Sequence, residues 1–422
     1  MNAPLPIGDF SAANPHALAT ILEASKTKSI IASRDIFDIS GTKLWARDQP
    51  VSGTLQRKLL DRKLRNPLES CLMAEDGVTA KTLVQATQAL LDTETPLSVF
   101  LRRHGAKIVR EIAYLPVHSV AQLLLTAGQA SRPESFDHAV KAMALCGGLM
   151  LEHGGATADL RLAMLCGLLH DLGEMYIDPR YGEFDADRAL DFESYEHLVV
   201  HPHVGYLLIA QLTDYPATLA RAIAEHHERL DGSGYPHGLQ RDKLSPLGRL
   251  LAVTEGSLGV LRGTRRPTLA RVSVALRVIP GEFELGWVGS IADAARAQPT
   301  AQALLDTEQV QARLGMLDAA LRMAKEKVDE FAVSAESPAF QGAIALAQYL
   351  LGRLRTGWYA SGLWSTEALQ TQDVAEVDAV EDELFFRLRS IERAVLVRAG
   401  KLESDEARRL DVMCETFRQA GA

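Results

Sequence analysis

Cysteine is scarce in this chain, which has only four among 422 residues. The four lie far apart in the sequence, at Cys71, Cys146, Cys166 and Cys414. No pair has the C-x-x-C spacing, so the sequence indicates neither a disulfide framework nor a zinc ribbon. Cys146 and Cys166 fall in apolar helical patterns, where a buried reduced thiol is the ordinary interpretation.

The chain also lacks a surplus of positive charge and any long apolar run. Lys plus Arg number 45 and Asp plus Glu number 54, which gives a net charge of −9. This balance provides no general attraction to DNA or to an anionic membrane, and no apolar run approaches membrane-spanning length. The N-terminus lacks the basic start and apolar core of a secretory signal. We therefore expect a cytoplasmic protein without DNA or membrane partners.

What is present is an ordinary globular composition, with 47% hydrophobic and 23% charged residues. A chain of this length can bury a large core without cross-links. We expect residues 1–25 to be a flexible arm, because Pro, Gly, Asn and Ser are frequent there. Residues 26–125 form an N-terminal region of unknown regulatory role. Within it, residues 34–45 predict a short β-hairpin and residues 54–92 a helical pattern.

Helical patterns continue to the end of the chain. Residues 296–422 predict a helical C-terminal extension, in which residues 376–421 have apolar positions spaced for an amphipathic helical hairpin. Three interpretations of this apolar face remain open: a homodimer interface, a surface for a signalling partner, or packing against the same chain.

Histidine is concentrated in the middle of the chain, beside acidic residues. Pro133 is suited to a first helical position, and Glu134 and His138 then share one helix face. The pair His170-Asp171 ends an apolar helix before Gly173. Further imidazoles and a carboxylate follow on later helices, at His201, His226, His227 and Glu255. A single helical histidine is more often an ordinary hydrogen-bonded residue, so only the combination predicts a site.

Imidazole and carboxylate together suit iron, manganese, zinc or nickel. Adjacent helical residues point about 100° apart, so a pair such as His170-Asp171 can serve two neighbouring ions. Two ions about 3.5–4 Å apart can hold both the attacking and the leaving oxygen of a phosphoryl group. A metal pair would therefore let an acidic protein bind a polyanionic substrate.

Three segments together point to a known family. HDLGEMYIDP from residue 170, HPHVG from residue 201 and HHERLDGSGYPHGL from residue 226 resemble the HD-GYP family of bacterial signalling phosphodiesterases. The resemblance covers about residues 133–262. It implies a mainly α protein with an all-helical HD-type metallophosphohydrolase domain at residues 126–295. It also implies hydrolysis of cyclic di-GMP to linear pGpG, to GMP, or to both, with two or three divalent ions, iron or manganese.

The resemblance also implies roles for individual residues. The implied metal ligands are Glu134, His138, His170, Asp171, His201, His226, His227 and Glu255. The implied catalytic residues are Asp171, His170 and Glu174. The implied substrate-binding residues are Arg229, Asp231, Gly234, Tyr235 and Pro236.

Two departures from the family pattern keep a second hypothesis open. Glu174 stands where the family usually has a lysine, and an anion there repels phosphate. Glu255 stands where the family usually has aspartate, and its extra methylene shifts the ligating oxygen. The alternative is a degenerate module that binds metal or cyclic di-GMP and acts as a receptor or partner-binding protein without turnover. A phosphohydrolase acting on another nucleotide is a third hypothesis, which the long segment HHERLDGSGYP from residue 226 disfavours.

Overall fold

The computed structural model describes residues 10–179, 199–263, 267–298, 307–334, 337–361, 374–399 and 402–419. Within these residues the chain is mainly helical, which confirms the predicted fold class. The chain divides into two units. Unit 1 comprises the described residues up to 227 together with residues 245–258, and unit 2 comprises residues 228–244 and the described residues from 259 onward. This division does not coincide with the predicted boundaries at residues 125 and 295.

Unit 1 begins with a helix in the stretch predicted as a flexible arm. Helix α1 (Pro15–Ala24) starts because the Asn14 side chain accepts hydrogen bonds from the backbone N–H groups of His16 and Ala17. It packs against helix α6 (Ser119–Ser131). Residues 15–24 therefore differ from the prediction because this helix has an apolar face to bury, and residues 1–9 lie outside the described residues.

Two small antiparallel pairs of strands follow α1. Strand β1 (Ile30–Ala32) pairs with β4 (Leu72–Ala74), and Ile30 lies opposite Ala74. Strand β2 (Ile36–Phe37) pairs with β3 (Lys43–Trp45). The second pair confirms the predicted β-hairpin.

The helical pattern predicted over residues 54–92 is broken in the structure. Helix α2 (Gly53–Leu59) ends early, because Leu60 is no longer helical and Asp61 has a φ of 57°. Pro67 then lacks the N–H that a continuing helix requires. The chain forms a 3₁₀ helix at Leu68–Cys71 and strand β4 before helix α3 (Ala80–Leu91) begins. A continuous helix over this stretch was therefore a wrong prediction.

The remaining helices of unit 1 enclose a buried apolar core. Helices α7 (Pro133–Glu152) and α8 (Thr157–Leu169) approach closely, because a Cβ added at Gly167 would lie only 2.5 Å from the backbone oxygen of Ala142. Besides α6, the helices are α4 (Pro96–Leu101), α5 (Gly105–Ile112), α7 (Pro133–Glu152), α8 (Thr157–Leu169), α9 (His201–Leu212), α10 (Ala217–Glu225) and α11 (Pro246–Gly263, of which residues 246–258 belong to unit 1). Short 3₁₀ helices lie at Arg102–His104 and Leu172–Tyr176.

Unit 2 contains the loop 228–244, with a 3₁₀ helix at Arg241–Lys243, and a set of long helices. These are α12 (Leu269–Arg277), α13 (Leu285–Arg296), α14 (Thr307–Val333), α15 (Pro338–Ser361), α16 (Val374–Ala399) and α17 (Ser404–Gln419). Fully buried side chains such as Phe340, Leu384 and Phe417 form their core. The predicted helical C-terminal extension is confirmed. None of the helices in the described ranges has the length and apolar character needed to cross a membrane.

Candidate metal centre

The histidines and acids of the middle region come together at the ends and inner faces of five helices of unit 1. His138 lies on the second turn of α7, and the pair His170-Asp171 directly follows α8. The other side chains lie at the first residue of α9 (His201), directly after α10 (His226 and His227) and in the middle of α11 (Glu255). These side chains form two clusters, each with atoms within 4.8 Å of one another.

The first cluster consists of His138, His170, Asp171 and Glu255. The Nε2 atom of His138 lies 2.9 Å from Oε2 of Glu255, 3.2 Å from Nε2 of His170 and 3.3 Å from Oδ2 of Asp171. Nε2 of His170 lies 3.1 Å from the same Asp171 oxygen. Two imidazole nitrogens and two carboxylate oxygens thus face one small space.

The second cluster consists of Asp171, His201, His226 and His227. The Nε2 atoms of His201 and His226 lie 3.1 Å apart. They lie 3.6 Å and 3.3 Å, respectively, from Oδ1 of Asp171. The three histidines are buried, so this cluster is shielded from bulk water.

Asp171 belongs to both clusters and presents a different oxygen to each. Its Oδ1 atom is buried and accepts no hydrogen bond from the residues that the structure describes. Such a buried acceptor is costly unless a proton or a cation balances it. A carboxylate facing two sets of imidazoles is a donor set suited to divalent iron, manganese, zinc or nickel. The residues therefore fit a pair of cations that share Asp171.

Backbone carbonyls orient two of the imidazole rings. Nδ1 of His170 lies 2.8 Å from the backbone oxygen of Gly167, and Nδ1 of His226 lies 2.6 Å from that of Ile223. Because a carbonyl oxygen only accepts hydrogen bonds, Nδ1 carries the hydrogen in both rings. Nε2 is then the ligating atom when the ring is neutral.

The charges within the centre perturb the pKa values of its members. Burial lowers the pKa of His138, but the carboxylates of Glu255 and Asp171 outweigh burial and raise it to about 9. Burial opposes ionisation of Asp171 and Glu255, yet the neighbouring histidines hold the pKa of each carboxyl well below its usual range. Burial, assisted by His227, lowers the pKa of His226 to about 3. Both carboxylates are thus ionised, and a proton on His138 competes with any cation.

Two other predicted site residues lie outside the clusters. Glu134 is exposed on the first turn of α7 and belongs to neither cluster. Glu174 is buried in the 3₁₀ helix Leu172–Tyr176. The guanidinium of Arg132 donates a hydrogen bond of 3.2 Å to the backbone oxygen of Glu174 and interacts electrostatically with its side chain. No motif or spacing marked Arg132 in the sequence.

The predicted substrate-binding residues lie in the loop 228–244 of unit 2, which we call the signature loop. The guanidinium of Arg229 lies over the ring of Phe283, and its Nε is 3.7 Å from Oε1 of Glu282. The carboxylate of Asp231 accepts hydrogen bonds from the backbone and the hydroxyl of Ser233. Arg229 and Asp231 therefore have structural contacts within unit 2, and a substrate role for them stays a prediction.

The remainder of the signature loop is held by a buried acid that sequence reasoning did not select. The carboxylate of Glu228 accepts hydrogen bonds from the backbone N–H groups of His237 (2.6 Å) and Leu239 (2.8 Å). The loop contains a cis peptide bond between Tyr235 and Pro236. Gly234, Tyr235 and Pro236 are half-buried, and their substrate role also stays a prediction.

Part of this chain is similar to a known protein family. A family model described as HD domain matches residues 124–279, which include every member of both clusters. Residues 124–279 are therefore similar to an HD domain. The HD domain family binds divalent metals, and the two clusters of this chain supply ligands that could hold them.

The curated relatives described here are named as phosphodiesterases of cyclic dinucleotides. A cyclic di-GMP phosphodiesterase of Pseudomonas aeruginosa is 27% identical over 208 residues, which are 49% of this chain and 47% of that protein. A 3'3'-cGAMP-specific phosphodiesterase of Vibrio cholerae is 28% identical over 33% of this chain and 32% of its own length. A cyclic di-GMP phosphodiesterase of Thermotoga maritima is 27% identical over 35% of this chain and 39% of its own length.

The chain spans less than half the length of each of these three relatives. Among solved structures, an HDG"Y"P protein from Bdellovibrio bacteriovorus is 17% identical, with a TM-score of 0.36 and coverage of 65% of this chain and 97% of that chain. The family model and the named relatives confirm the resemblance stated from the sequence.

Proposed function

We propose that this protein is a metal-dependent phosphodiesterase that hydrolyses cyclic di-GMP to linear pGpG, to GMP, or to both. The observation that carries the proposal is the pair of buried clusters that share Asp171. This arrangement brings together enough imidazole and carboxylate ligands for two divalent ions, and we propose iron or manganese. Since Glu134 is exposed and in neither cluster, nothing in its position supports a third ion.

In this proposal each residue of the centre has a defined task. Bound divalent cations would polarise the phosphate oxygens of the substrate and offset the charge of the leaving oxygen. His138, His170 and Glu255 would hold one ion, and the three histidines of the second cluster would hold the other. Asp171 would hold both, and it and His170 would be the catalytic pair. The Nδ1 hydrogen bonds of His170 and His226 keep Nε2 pointed into the centre.

The named relatives support a cyclic dinucleotide as the substrate class. Two of the three described above are named for cyclic di-GMP and one for 3'3'-cGAMP. The segment HHERLDGSGYPHGL, which runs from residue 226 into the signature loop, favours cyclic di-GMP because it resembles the corresponding HD-GYP segment over its whole length. We propose that Tyr235 offers an aromatic face to a guanine base, since aromatic rings stack on bases.

The alternative is a receptor that binds metal or cyclic di-GMP without turnover. Glu174 supports it, because a buried carboxylate stands where the family usually provides a cation. Glu255 does not support it, because its carboxylate reaches to within 2.9 Å of His138 Nε2 and takes part in the first cluster. We therefore propose the enzyme as the primary function. Glu174 is the residue that still favours the receptor hypothesis.

The C-terminal helices also bear on the proposed partners. The apolar face predicted from residues 376–421 is buried within unit 2, where its side chains join the core. The buried residues of this face include Val377, Leu384, Leu388, Ile391 and Val395. This supports packing against the same chain over a homodimer or a signalling partner that uses this face.

One experiment tests the function directly. The purified chain is loaded with Mn²⁺ or, under anaerobic conditions, Fe²⁺; its metal content is measured, and cyclic di-GMP and 3'3'-cGAMP are followed by chromatography. Turnover of cyclic di-GMP, abolished in Asp171→Ala, supports the enzyme. Asp137→Asn is the matched control, because the Asp137 side chain is exposed and forms an ion pair of 2.6 Å with Nζ of Lys141. Stoichiometric binding without product would establish the receptor, and hydrolysis only of another nucleotide would contradict both.

A further inference from the structure

The 3₁₀ helix Leu172–Tyr176 directly follows Asp171 and ends in a buried tyrosine. The hydroxyl of Tyr176 donates a hydrogen bond of 2.6 Å to Oε1 of Glu69, which lies 107 residues earlier in the chain. Both side chains are buried, with relative exposures of 7% and 4%. The N-terminal region, for which the sequence indicated no chemistry, thus contacts the segment that carries the shared ligand.

Further contacts tie α1 and the residues just before it to the same segment. The Asn14 side chain donates a hydrogen bond of 3.1 Å to the backbone oxygen of Tyr176, and the ring of Phe10 meets that of Tyr176 edge-to-face. Arg132 donates hydrogen bonds to the hydroxyl of Thr20 in α1 and to the backbone oxygen of Glu174. The 3₁₀ helix is therefore held by Glu69 of the N-terminal region, by the segment 10–20 and by Arg132.

The 3₁₀ helix also packs against a second element of the metal centre. A Cβ added at Gly173 would overlap the backbone oxygen of His201 and lie 2.8 Å from the backbone nitrogen of Gly205. The backbone of the 3₁₀ helix thus lies directly on the first turn of α9. A shift of this helix would move Asp171 through the chain and His201 through contact.

The Tyr176–Glu69 hydrogen bond is costly to break because of its surroundings. Burial raises the pKa of the Glu69 carboxyl, and burial beside Glu69 raises the pKa of the Tyr176 hydroxyl. Removing one partner leaves the other group buried without this hydrogen bond. The segment would then shift or admit water, and ligand geometry tolerates only small displacements.

We propose that Tyr176 and Glu69 are positioning residues that fix the 3₁₀ helix and thereby set the metal affinity of the centre formed by Asp171 and His201. The N-terminal region then acts on the metal centre through this hydrogen bond. The proposal rests on the metal centre of the proposed function but needs no turnover.

The test is the Mn²⁺ affinity of the full chain, measured by competition with a chelating dye. Tyr176→Phe removes the hydroxyl and keeps the ring, and we expect affinity at one or both sites to fall about tenfold or more, the range found when groups supporting metal ligands are lost. The absorption spectrum of bound Co²⁺ should also change. Tyr215→Phe is the matched control, because the Tyr215 hydroxyl donates to the backbone oxygen of Pro116 and accepts from the backbone N–H of His118 elsewhere in unit 1.

Glu69→Gln provides an independent variant that keeps the side-chain volume. We expect it to weaken Mn²⁺ binding as well, and to add less than twofold when combined with Tyr176→Phe, because both changes break one hydrogen bond. If both single variants keep wild-type affinity and Co²⁺ spectrum while their thermal midpoints fall, the pair is merely structural and the proposal is overturned. A wild-type chain that binds no Mn²⁺ also overturns it. A chain that binds Mn²⁺ but hydrolyses nothing refutes the proposed function and leaves this inference standing.

Discussion

Replacing Asp171 with alanine removes the side chain that contributes to both metal clusters. Its Oδ2 atom faces His138 and His170 at 3.3 Å and 3.1 Å, and its Oδ1 atom faces His226 and His201 at 3.3 Å and 3.6 Å. One substitution thus takes an anionic ligand from each predicted ion. We expect both sites to lose affinity together, which a change at a ligand of only one cluster would not cause.

The size of the effect follows from linkage between binding and folding. A ligand present at 100 times its dissociation constant stabilises the folded state by about 2.7 kcal/mol per site, so two sites give about 5 kcal/mol. For a domain of 150–250 residues, each kcal/mol moves the thermal midpoint by about 2–4 °C. Saturating Mn²⁺ should therefore raise the thermal midpoint of unit 1 in the wild-type chain by about 10–20 °C.

The assay is thermal unfolding followed by circular dichroism, with and without Mn²⁺, for the wild type and the Asp171→Ala variant. We expect the Mn²⁺-dependent rise to shrink below about 5 °C in the variant. Asp137→Asn should retain the full rise, because its side chain is exposed and paired with Lys141. An undiminished rise in Asp171→Ala would refute the reasoning that the two sites share this carboxylate.

Three further predictions follow. Although burial lowers both pKa values, Asp171 and Glu255 raise the pKa of His138 to about 9 and that of His170 well above its usual value, so protons on both rings compete with metal. Mn²⁺ affinity should therefore rise by roughly tenfold or more per pH unit from about pH 6 to 8, with proton release measured by calorimetry in different buffers. A flat pH profile would contradict this prediction. Gly173→Ala should lower the free energy of unfolding, measured in urea, by about 3 kcal/mol, because the added Cβ would overlap the backbone oxygen of His201. Unchanged stability would show that the 3₁₀ helix Leu172–Tyr176 and α9 can move apart. Arg387→Met should lower the free energy of unfolding by about 3 kcal/mol in the same assay, because the buried Glu282 carboxylate loses the guanidinium that donates a hydrogen bond to it. Unchanged stability would show that Glu282 is readily protonated there.

The sequence predicted the members of both clusters because each lies at a recognisable position on a helix. His170-Asp171 ends an apolar helix, and Glu255 was chosen by its place after the signature loop. Glu134 shares a helix face with His138, but it lies on the exposed first turn of α7, where spacing alone does not bring it to the clusters. Helical spacing thus predicted that Glu134 and His138 share a face of α7, but it did not predict that only His138 is buried.

Contacts between distant segments were beyond sequence reasoning. The Tyr176–Glu69 hydrogen bond joins residues that no periodic pattern relates, and Arg132 is a single arginine before a proline. The predicted helix over residues 54–92 failed for a local reason. The positive φ of Asp61 and the missing N–H of Pro67 break the helix despite the regular leucine spacing. The predicted arm failed at residues 15–24 because the Asn14 cap and an apolar face form a packed helix.

The central claim is that two cations bind side by side and share Asp171. The most direct measurement is the anomalous diffraction of crystals grown with Mn²⁺. We expect two anomalous peaks, one among His138, His170 and Glu255 and the other among His201, His226 and His227. Both peaks should lie within ligand distance of Asp171. A single peak, or peaks away from Asp171, would contradict it.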